Sequence, residues 1–254
     1  PMGYYNRYYA HPYNEYNRPS EEASEEQVTQ WRRQCEVEIN RRGLILPAIG
    51  HGWTCKAFGF DPNNNTKNTY DLSIYDDFDK SMLALVNGKR ELYGNSTFFT
   101  HFCYSNPDAR KSLVDFCVEY AQQKPWISYL HLWLADNVNN NCECERCKDT
   151  RPADFYVKLL NDIDQRLTEE NIDTKIVFLM YVDLLFAPVR EKIKNPDRFT
   201  FMFAPIGRSY STPLAKDADK YTVSDYVRNK LTFPSASGEY MAYYREWQKA
   251  FAKN

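Results

Sequence analysis

The sequence predicts a mixed α/β fold of the TIM-like (β/α)-barrel type, either incomplete or part of a longer chain, on the basis of three observations. Apolar stretches of strand length alternate with amphipathic helical patterns, which is typical of a parallel sheet covered by helices. Polar or aromatic side chains follow each stretch, as on the carboxyl face of a barrel. No glycine-rich nucleotide-binding motif follows any strand, which removes the usual reason for an open sheet. We expect one domain over residues 1–254.

The first elements are an arm and a helix. Residues 1–19 are rich in Tyr and Asn without any periodicity, and they predict an N-terminal arm. Ser24 and Gln27 have the spacing of a capping box, which predicts the start of a helix, and Gly43 predicts its end. The expected apolar face of this helix consists of Val28, Trp31, Cys35 and Ile39.

The middle of the chain predicts two strands and one helix. The apolar segments 44–50 and 127–136 are continuous enough for buried strands. Between them, Asn106 and Pro107 form a cap and a first helical turn. The stripe of this helix contains Leu113, Cys117 and Tyr120.

The last third repeats the alternation of helix and strand. Segments 175–183 and 199–206 predict strands, with a short helix after Pro188 between them. Apolar residues at helical spacing predict a helix before the first of these strands and another at the end of the chain. Their stripes are Tyr156, Leu160, Ile163 and Leu167, and then Tyr240, Tyr244, Trp247 and Phe251.

Composition excludes two classes of partner and favours a third. A net charge of −2 and a pI near 6.2 give no basis for nucleic-acid binding, which usually leaves a basic patch. No apolar window reaches the length of a membrane span. Aromatic residues make up 16% of the chain, and sugars bind by stacking on aromatic faces, although an aromatic-rich core explains the same excess. The sequence does not fix an oligomeric state.

Several segments of the sequence resemble a large bacterial family described as a domain of unknown function. These segments are "GHGWTC", "LALVNGKREL", "FCYSNP", "WLADNVNNNCECERC", "FLMYVDLLF" and "FAPIGRSY", within a resemblance over residues 40–252. The family is placed beside glycoside hydrolases of the α-glucuronidase and β-N-acetylhexosaminidase type. The resemblance therefore implies a TIM barrel, a polysaccharide or oligosaccharide ligand that includes uronic acids, and a periplasmic or cell-surface location.

One position departs from the hexosaminidase pattern. Those enzymes end their fourth strand in an Asp-Glu pair, whose Glu is the general acid, whereas this chain has Asp136-Asn137. Two interpretations follow. Asp136 or a carboxyl group from another strand takes the acid role in a glycoside hydrolase, or the domain is a non-catalytic carbohydrate-binding or scaffolding barrel.

Glycosidic cleavage needs two carboxyl groups flanking the bond, and it requires no catalytic cofactor. Asp136 and Asp183 end two successive predicted strands and are the expected catalytic pair, with Glu239 as a weaker third candidate. The alternative for either aspartate is a structural role, such as capping a helix or bracing a loop.

The expected substrate-binding residues also follow the strands. His51 lies between two glycines and could hydrogen-bond a hydroxyl, while Trp53 could stack on a sugar ring. The guanidinium of Arg208 suits the carboxylate of an acidic sugar. Asn137 and Tyr181 complete the set. The structural alternatives are a core histidine, a packing tryptophan and a surface ion pair.

The thiols form a separate motif. Cys142, Cys144 and Cys147 have C-x-C-x-x-C spacing, and Cys103 is the natural fourth ligand of a structural zinc site. Two disulfides or free buried thiols are the alternatives, and the odd total of seven cysteines leaves at least one thiol without an internal disulfide partner. Zinc is slightly preferred because the short spacing wraps more easily around one ion than around two bridges.

Overall fold

The computed structural model describes residues 24–51, 53–57, 59 and 79–251. The arm expected at residues 1–19 lies outside this part of the chain. The chain divides into two compact units, Pro1–Pro47 and Ala48–Asn254. Within the described residues, no helix has the length and apolarity that crossing a bilayer requires.

The described part of the first unit contains helix α1 (Glu25–Arg41), and its predicted capping box is confirmed. Ser24 Oγ accepts the N–H of Gln27 at 3.2 Å, and the Gln27 side chain accepts the N–H of Ser24 at 2.9 Å. Gly43 has φ +64°, the left-handed conformation that commonly follows the last helical residue. On the predicted apolar face, Trp31 is 41% exposed and Cys35 is also exposed. Helical spacing decides which residues share a face, but it does not decide whether the face is covered.

The second unit is built on a four-stranded sheet whose strands lie side by side in chain order. Strand β2 pairs in parallel with β3, and β3 pairs in parallel with β4. The strands are β1 (Pro47–Gly50), β2 (Tyr129–Leu132), β3 (Lys175–Met180) and β4 (Phe199–Phe203). The fold is therefore a mixed α/β fold with a parallel sheet, as the sequence predicted at the level of fold class.

Each strand is shorter than its predicted segment. Beyond β2, the backbone leaves the ladder because its polar groups find other partners: the carbonyl of Leu134 bonds the His51 side chain at 2.7 Å. The N–H of Asp136 donates to the carbonyl of Phe98 at 3.1 Å. Apolarity therefore located the strands, whereas hydrogen-bond partners from distant segments set where they end.

Helices α2 (Trp53–Ala57), α3 (Pro107–Gln123), α4 (Pro152–Glu169) and α5 (Ser237–Phe251) complete the described second unit, together with short 3₁₀ turns. The predicted cap of α3 is confirmed, since Asn106 Oδ1 accepts the N–H of Asp108 at 2.9 Å. The short helix predicted after Pro188 is wrong. The N–H groups of that segment bind side chains of α4 instead: Val189, Arg190 and Glu191 donate to Asp154 Oδ1 at 2.7–3.0 Å.

The core lies between α4, β3 and α5. The Tyr156 hydroxyl joins two strands, because it donates to the carbonyl of Leu132 and accepts the N–H of Leu179. The ring of Phe178 packs 5.9 Å from that of Trp247, whose indole N–H donates to the carbonyl of Leu184 at 2.7 Å. Full burial of each large apolar side chain contributes about 2 kcal/mol. This core fixes the carboxyl ends of β2 and β3, where the predicted site residues lie.

Candidate active site and thiol cluster

Three of the predicted residues meet at the carboxyl ends of β1, β2 and β3. The Tyr181 hydroxyl donates to Asp136 Oδ1 at 3.0 Å, and His51 Nε2 lies 3.8 Å from the same oxygen. His51 Nδ1 carries a proton, since it donates to the carbonyl of Leu134, and Nε2 is thereby directed towards Asp136. We call His51, Asp136, Tyr181 and Asp183 the carboxylate rim.

Aromatic rings surround the histidine of the rim. The His51 ring lies 5.4 Å from Phe98, 5.0 Å from Trp133 and 5.9 Å from Tyr181, measured between ring centroids. Burial, together with the hydrogen bond to Asp136, raises the pKa of Tyr181 to about 12. Tyr181 is therefore a protonated donor at neutral pH, and it keeps the Asp136 carboxylate in place.

Asp183 is buried, with 5% of its surface exposed. Burial raises the pKa of this carboxyl group to about 6, although the N–H of Asn139 and the charge of Arg228 act in the opposite direction. The Asn139 N–H donates to Asp183 Oδ2 at 2.8 Å. Asp183 is thus both a brace for the loop after β2 and a carboxyl group that gains a proton only slightly below neutral pH.

The backbone between Tyr181 and Asp183, the two rim residues that follow β3, is unusual. Val182 has φ +42°, a left-handed conformation that is rare for a β-branched residue and costs about 1–3 kcal/mol. Val182 is buried and begins a 3₁₀ turn that also contains Asp183. Strain of this kind persists where the surrounding structure imposes it, and here it occurs between Tyr181 and Asp183.

A small pocket lies beside the rim. Its polar lining includes His51, Tyr181 and Asp183 together with His101, which the sequence analysis did not single out. Burial lowers the pKa of His101 to about 4, so this imidazole is neutral at physiological pH. No spacing motif marks His101, although it lies two residues before Cys103 in a segment that proves to be buried.

Trp53 and Asn137 have other contacts. Trp53 is 7% exposed, and its indole N–H donates to the carbonyl of His131 at 2.7 Å. Its ring centroid lies 5.0 Å from that of Tyr120, so Trp53 packs between β2 and α3 and is not brought to the rim pocket. Asn137 Oδ1 accepts the N–H of Val138 at 2.7 Å, which is a local turn contact.

Arg208 and Glu239 lie outside the rim pocket. The Arg208 guanidinium lies over the ring of Tyr210, 4.4 Å from its centroid, in the segment after β4. Glu239 is in the first turn of α5, where its carboxylate accepts the N–H of Ser235 at 3.1 Å. Glu239 therefore has a helix-end contact in this structure.

The asparagines after Asp136 fasten their loop to a distant segment, residues 226–231. Asn139 exchanges two hydrogen bonds with the backbone of Leu231, at 3.0 and 2.7 Å. Asn141 and Asn229 form a similar pair at 2.9 Å in both directions. Arg228 donates to the carbonyl of Cys147 at 2.7 Å. Sequence reasoning missed this segment, because residues 226–231 follow neither a helical nor a strand period.

The four cysteines of the predicted motif converge, and we call them the thiol cluster. All four Sγ atoms lie within 4.8 Å of one another, with Cys103 3.7 Å from Cys144 and 3.9 Å from Cys147. Cys103, Cys142 and Cys147 are buried, and all four are free thiols rather than disulfides. The four sulfurs are close enough to bind one metal ion.

Hydrogen-bonding groups surround the sulfurs. Leu85 N–H donates to Cys142 Sγ at 3.3 Å, and Ser105 Oγ lies 3.1 Å from Cys147 Sγ and 3.2 Å from Cys103 Sγ. Hydrogen bonds from the thiols of Cys142 and Cys147 lower the pKa of Cys103. The same contacts raise the pKa of Cys142 and Cys147, so they favour a thiolate at Cys103, and a thiolate is the form that binds metals.

Comparison with known proteins identifies a family. Residues 17–244 match the family described as "Domain of unknown function (DUF4838)". Neither the curated proteins nor the solved structures contain a match to this chain.

Proposed function

We propose that this chain, which belongs to the DUF4838 family, acts on glycans at the carboxylate rim by carboxylate acid/base chemistry, as a glycoside hydrolase-like domain. A single observation carries the proposal. Asp136 and Asp183 follow adjacent parallel strands and have different surroundings: Asp183 is buried and its pKa is raised to about 6, whereas Asp136 is partly exposed and accepts the Tyr181 hydroxyl. Such a difference between two carboxyl groups is what separates an acid from a base in an active site.

The two aspartates have distinct proposed roles. Asp183 is the proton donor, because its pKa of about 6 allows it to hold a proton near neutral pH. Asp136 is the base or nucleophile, because its side chain is 33% exposed and its oxygen accepts the Tyr181 hydrogen bond. The hydrogen bond from Tyr181 orients that carboxylate, which preserves the geometry that catalysis needs.

Two further observations support a ligand site at this edge of the sheet. The left-handed Val182 stores backbone strain between Tyr181 and Asp183, and such strain clusters at functional sites. The rings of Phe98 and Trp133 flank His51 and supply the apolar surface that sugar rings stack on. Arg208 follows β4 at the same edge of the parallel sheet and is the proposed partner for the carboxylate of a uronic acid.

The proposed architecture is part of a TIM-like (β/α) barrel. Its support is the order of the four strands, which lie side by side in chain order, as consecutive strands of such a barrel do. The carboxyl face of the barrel would then carry the rim, in agreement with the usual place of barrel active sites. The rim chemistry uses no cofactor, and a periplasmic or cell-surface location is part of the proposal.

A non-catalytic carbohydrate-binding domain is the second candidate. It is favoured by the contacts of Asp183, which is buried and holds the N–H of Asn139 at 2.8 Å, as a loop brace would. Asn137 also stands where the hexosaminidase pattern has the general acid. In that case Asp136 and Tyr181 would bind sugar hydroxyls without bond cleavage.

An oligosaccharide digestion panel and a glycan array, applied to the same protein samples, separate the two candidates. We expect the wild type to cleave an acidic or N-acetylated oligosaccharide, and Asp136→Asn to reduce the rate by about a thousandfold or more. Asp149→Asn is the matched control, since Asp149 is exposed on the same loop. Glycan binding without cleavage by the wild type would favour the second candidate, and neither binding nor cleavage would contradict both.

Structural zinc at the thiol cluster is also part of the proposal. Its support is the set of four sulfur ligands, which suits zinc better than the hard cations that prefer oxygen. The thiol cluster takes no part in the glycan chemistry.

A further inference from the structure

The thiol cluster has the dimensions of a filled tetrahedral metal site. A zinc ion with four sulfurs at about 2.3 Å places those sulfurs about 3.8 Å apart. Cys103 Sγ lies 3.7 Å from Cys144 Sγ and 3.9 Å from Cys147 Sγ, and all four sulfurs lie within 4.8 Å of one another. A disulfide would bring two sulfurs to about 2 Å. The four thiols are instead arranged around a common centre.

The surroundings of the cluster match what a tetrathiolate needs. Four thiolates and one Zn²⁺ carry a net charge of −2, which requires compensation in a buried place. The Arg90 side chain lies beside Cys103 and Cys144. Arg90 itself is anchored, because its guanidinium donates to the carbonyls of Ser81 and Leu83. The Leu85 N–H to Cys142 adds a donor of the kind that orients and tunes metal ligands.

The cysteines come from two separate stretches of chain. Cys103 lies just before α3, whereas Cys142, Cys144 and Cys147 belong to the loop between β2 and α4. That loop, residues 133–151, contains no α-helix or β-strand, so a bond to another segment would restrict it strongly. The same loop supplies the Asn139 N–H that holds Asp183.

We propose that the thiol cluster is a tetrathiolate Zn²⁺ centre that ties the loop between β2 and α4 to the segment before α3, with Arg90 as the positive charge that compensates it. The zinc centre deepens the structural zinc of the proposed function but is independent of any glycan activity. It fixes the position of the loop, and through Asn139 it helps to position Asp183.

Metal analysis of the full chain, purified without added metal, tests this directly. We expect about one zinc per chain, and its loss in Cys142→Ser and Cys147→Ser. Cys117→Ser is the matched control, because Cys117 is also buried but lies outside the cluster. Cys35→Ser is the exposed control. A wild type that carries no metal and has all four cluster thiols titratable, or that has disulfides among these cysteines, would overturn the proposal, as would full zinc retention by both cluster variants.

Cobalt substitution of the wild type keeps the test valid if a serine variant does not fold. Chelation followed by Co²⁺ addition should give the intense visible bands of tetrahedral cobalt and the sulfur-to-metal charge-transfer band of thiolate ligands. A weak octahedral spectrum would contradict the ligand set. Arg90→Gln should lose zinc to a competing chelator roughly tenfold faster than the wild type, whereas Arg146→Gln, an exposed position between two of the cysteines, should not. Equal loss rates for the two variants would overturn the role given to Arg90.

Discussion

The loop between β2 and α4 begins at the carboxylate rim and ends at the thiol cluster, and the two regions are held in different ways. At the rim, Asp136 is 33% exposed and is positioned by one hydrogen bond, from the Tyr181 hydroxyl just after β3. At the cluster, three of the four thiols are buried and converge on one another. The rim therefore depends on protonation, whereas the cluster, with the zinc centre proposed above, depends on bonds to an ion. Changes of pH should act mainly on the first region and chelation mainly on the second.

Metal removal should have the largest effect on stability. When free zinc exceeds its dissociation constant about a thousandfold, binding stabilises the folded chain by about 4 kcal/mol. Chemical denaturation at neutral pH, with and without a chelator, should show this difference, and added zinc should restore it. Cys117→Ser should keep the zinc dependence of the wild type. Identical denaturation curves with and without chelator would show that the thiol cluster does not depend on a bound metal, and the contrast with the rim would be lost.

His101 should give the strongest pH effect in the described pocket beside the rim. Its folded-state pKa of about 4 lies below the ordinary value of 6.5, so the unfolded chain binds more protons between these pH values. The stability that His101 contributes is complete above about pH 6.5 and is lost as the pH falls towards 4, by about 3 kcal/mol. His101→Gln should remove this loss, as measured by denaturation across the window. A variant with the acid sensitivity of the wild type would contradict the prediction.

Asp183 should change the pH dependence of stability in the opposite direction to His101, and by a slightly smaller amount. Its pKa is raised from 3.8 to about 6, so the folded chain binds more protons between these values. Its contribution is complete below about pH 4 and is lost as the pH rises through 6, by up to about 3 kcal/mol. Relative to the wild type, Asp183→Asn should therefore become progressively more stable from pH 4 to 6. Asp149→Asn, at an exposed position, should show no such trend. If the stability of both variants, relative to the wild type, changed equally with pH, the prediction would be wrong.

Tyr181→Phe should give the smallest change in stability. The substitution removes the hydrogen bond to Asp136 but keeps the ring that packs near His51, so we expect a loss of about 1 kcal/mol. Tyr210→Phe is the control, because Tyr210 is 87% exposed. Thermal or chemical denaturation can resolve this difference. If Tyr181→Phe were as stable as the control variant, the hydrogen bond between Tyr181 and Asp136 would not contribute to stability.

The sequence was most informative where short-range patterns act. The capping box of α1 was predicted from two residues three positions apart and the Asn106 cap of α3 from two adjacent residues, and both are present. His51, Asp136 and Tyr181, which the sequence places after successive strands, lie close together in the structure, while their role in binding or catalysis stays a prediction. The C-x-C-x-x-C spacing, together with Cys103, identified the four cysteines that converge in the described part of the chain.

Sequence reasoning failed where a residue's partner lies far along the chain. Trp53 was left with two interpretations, sugar stacking or core packing, and only the structure shows that its ring lies against Tyr120 of α3. The predicted helix after Pro188 does not form, since Asp154 and Asn161 of α4 bind its backbone. His101 and Arg228 were not singled out, because neither residue belongs to a recognisable motif.

The sequence by itself determined the order and type of the main helices and strands, the residues that follow each strand, and the set of four cysteines. These properties depend on periodicity, caps and spacing, which involve neighbouring residues only. The tertiary structure alone decided that Asp183 is buried, that His101 stays neutral, and that Asn139 is bound to Leu231, 92 residues away. Burial and long-range hydrogen bonds depend on which distant segments pack together, and they set the protonation of the rim.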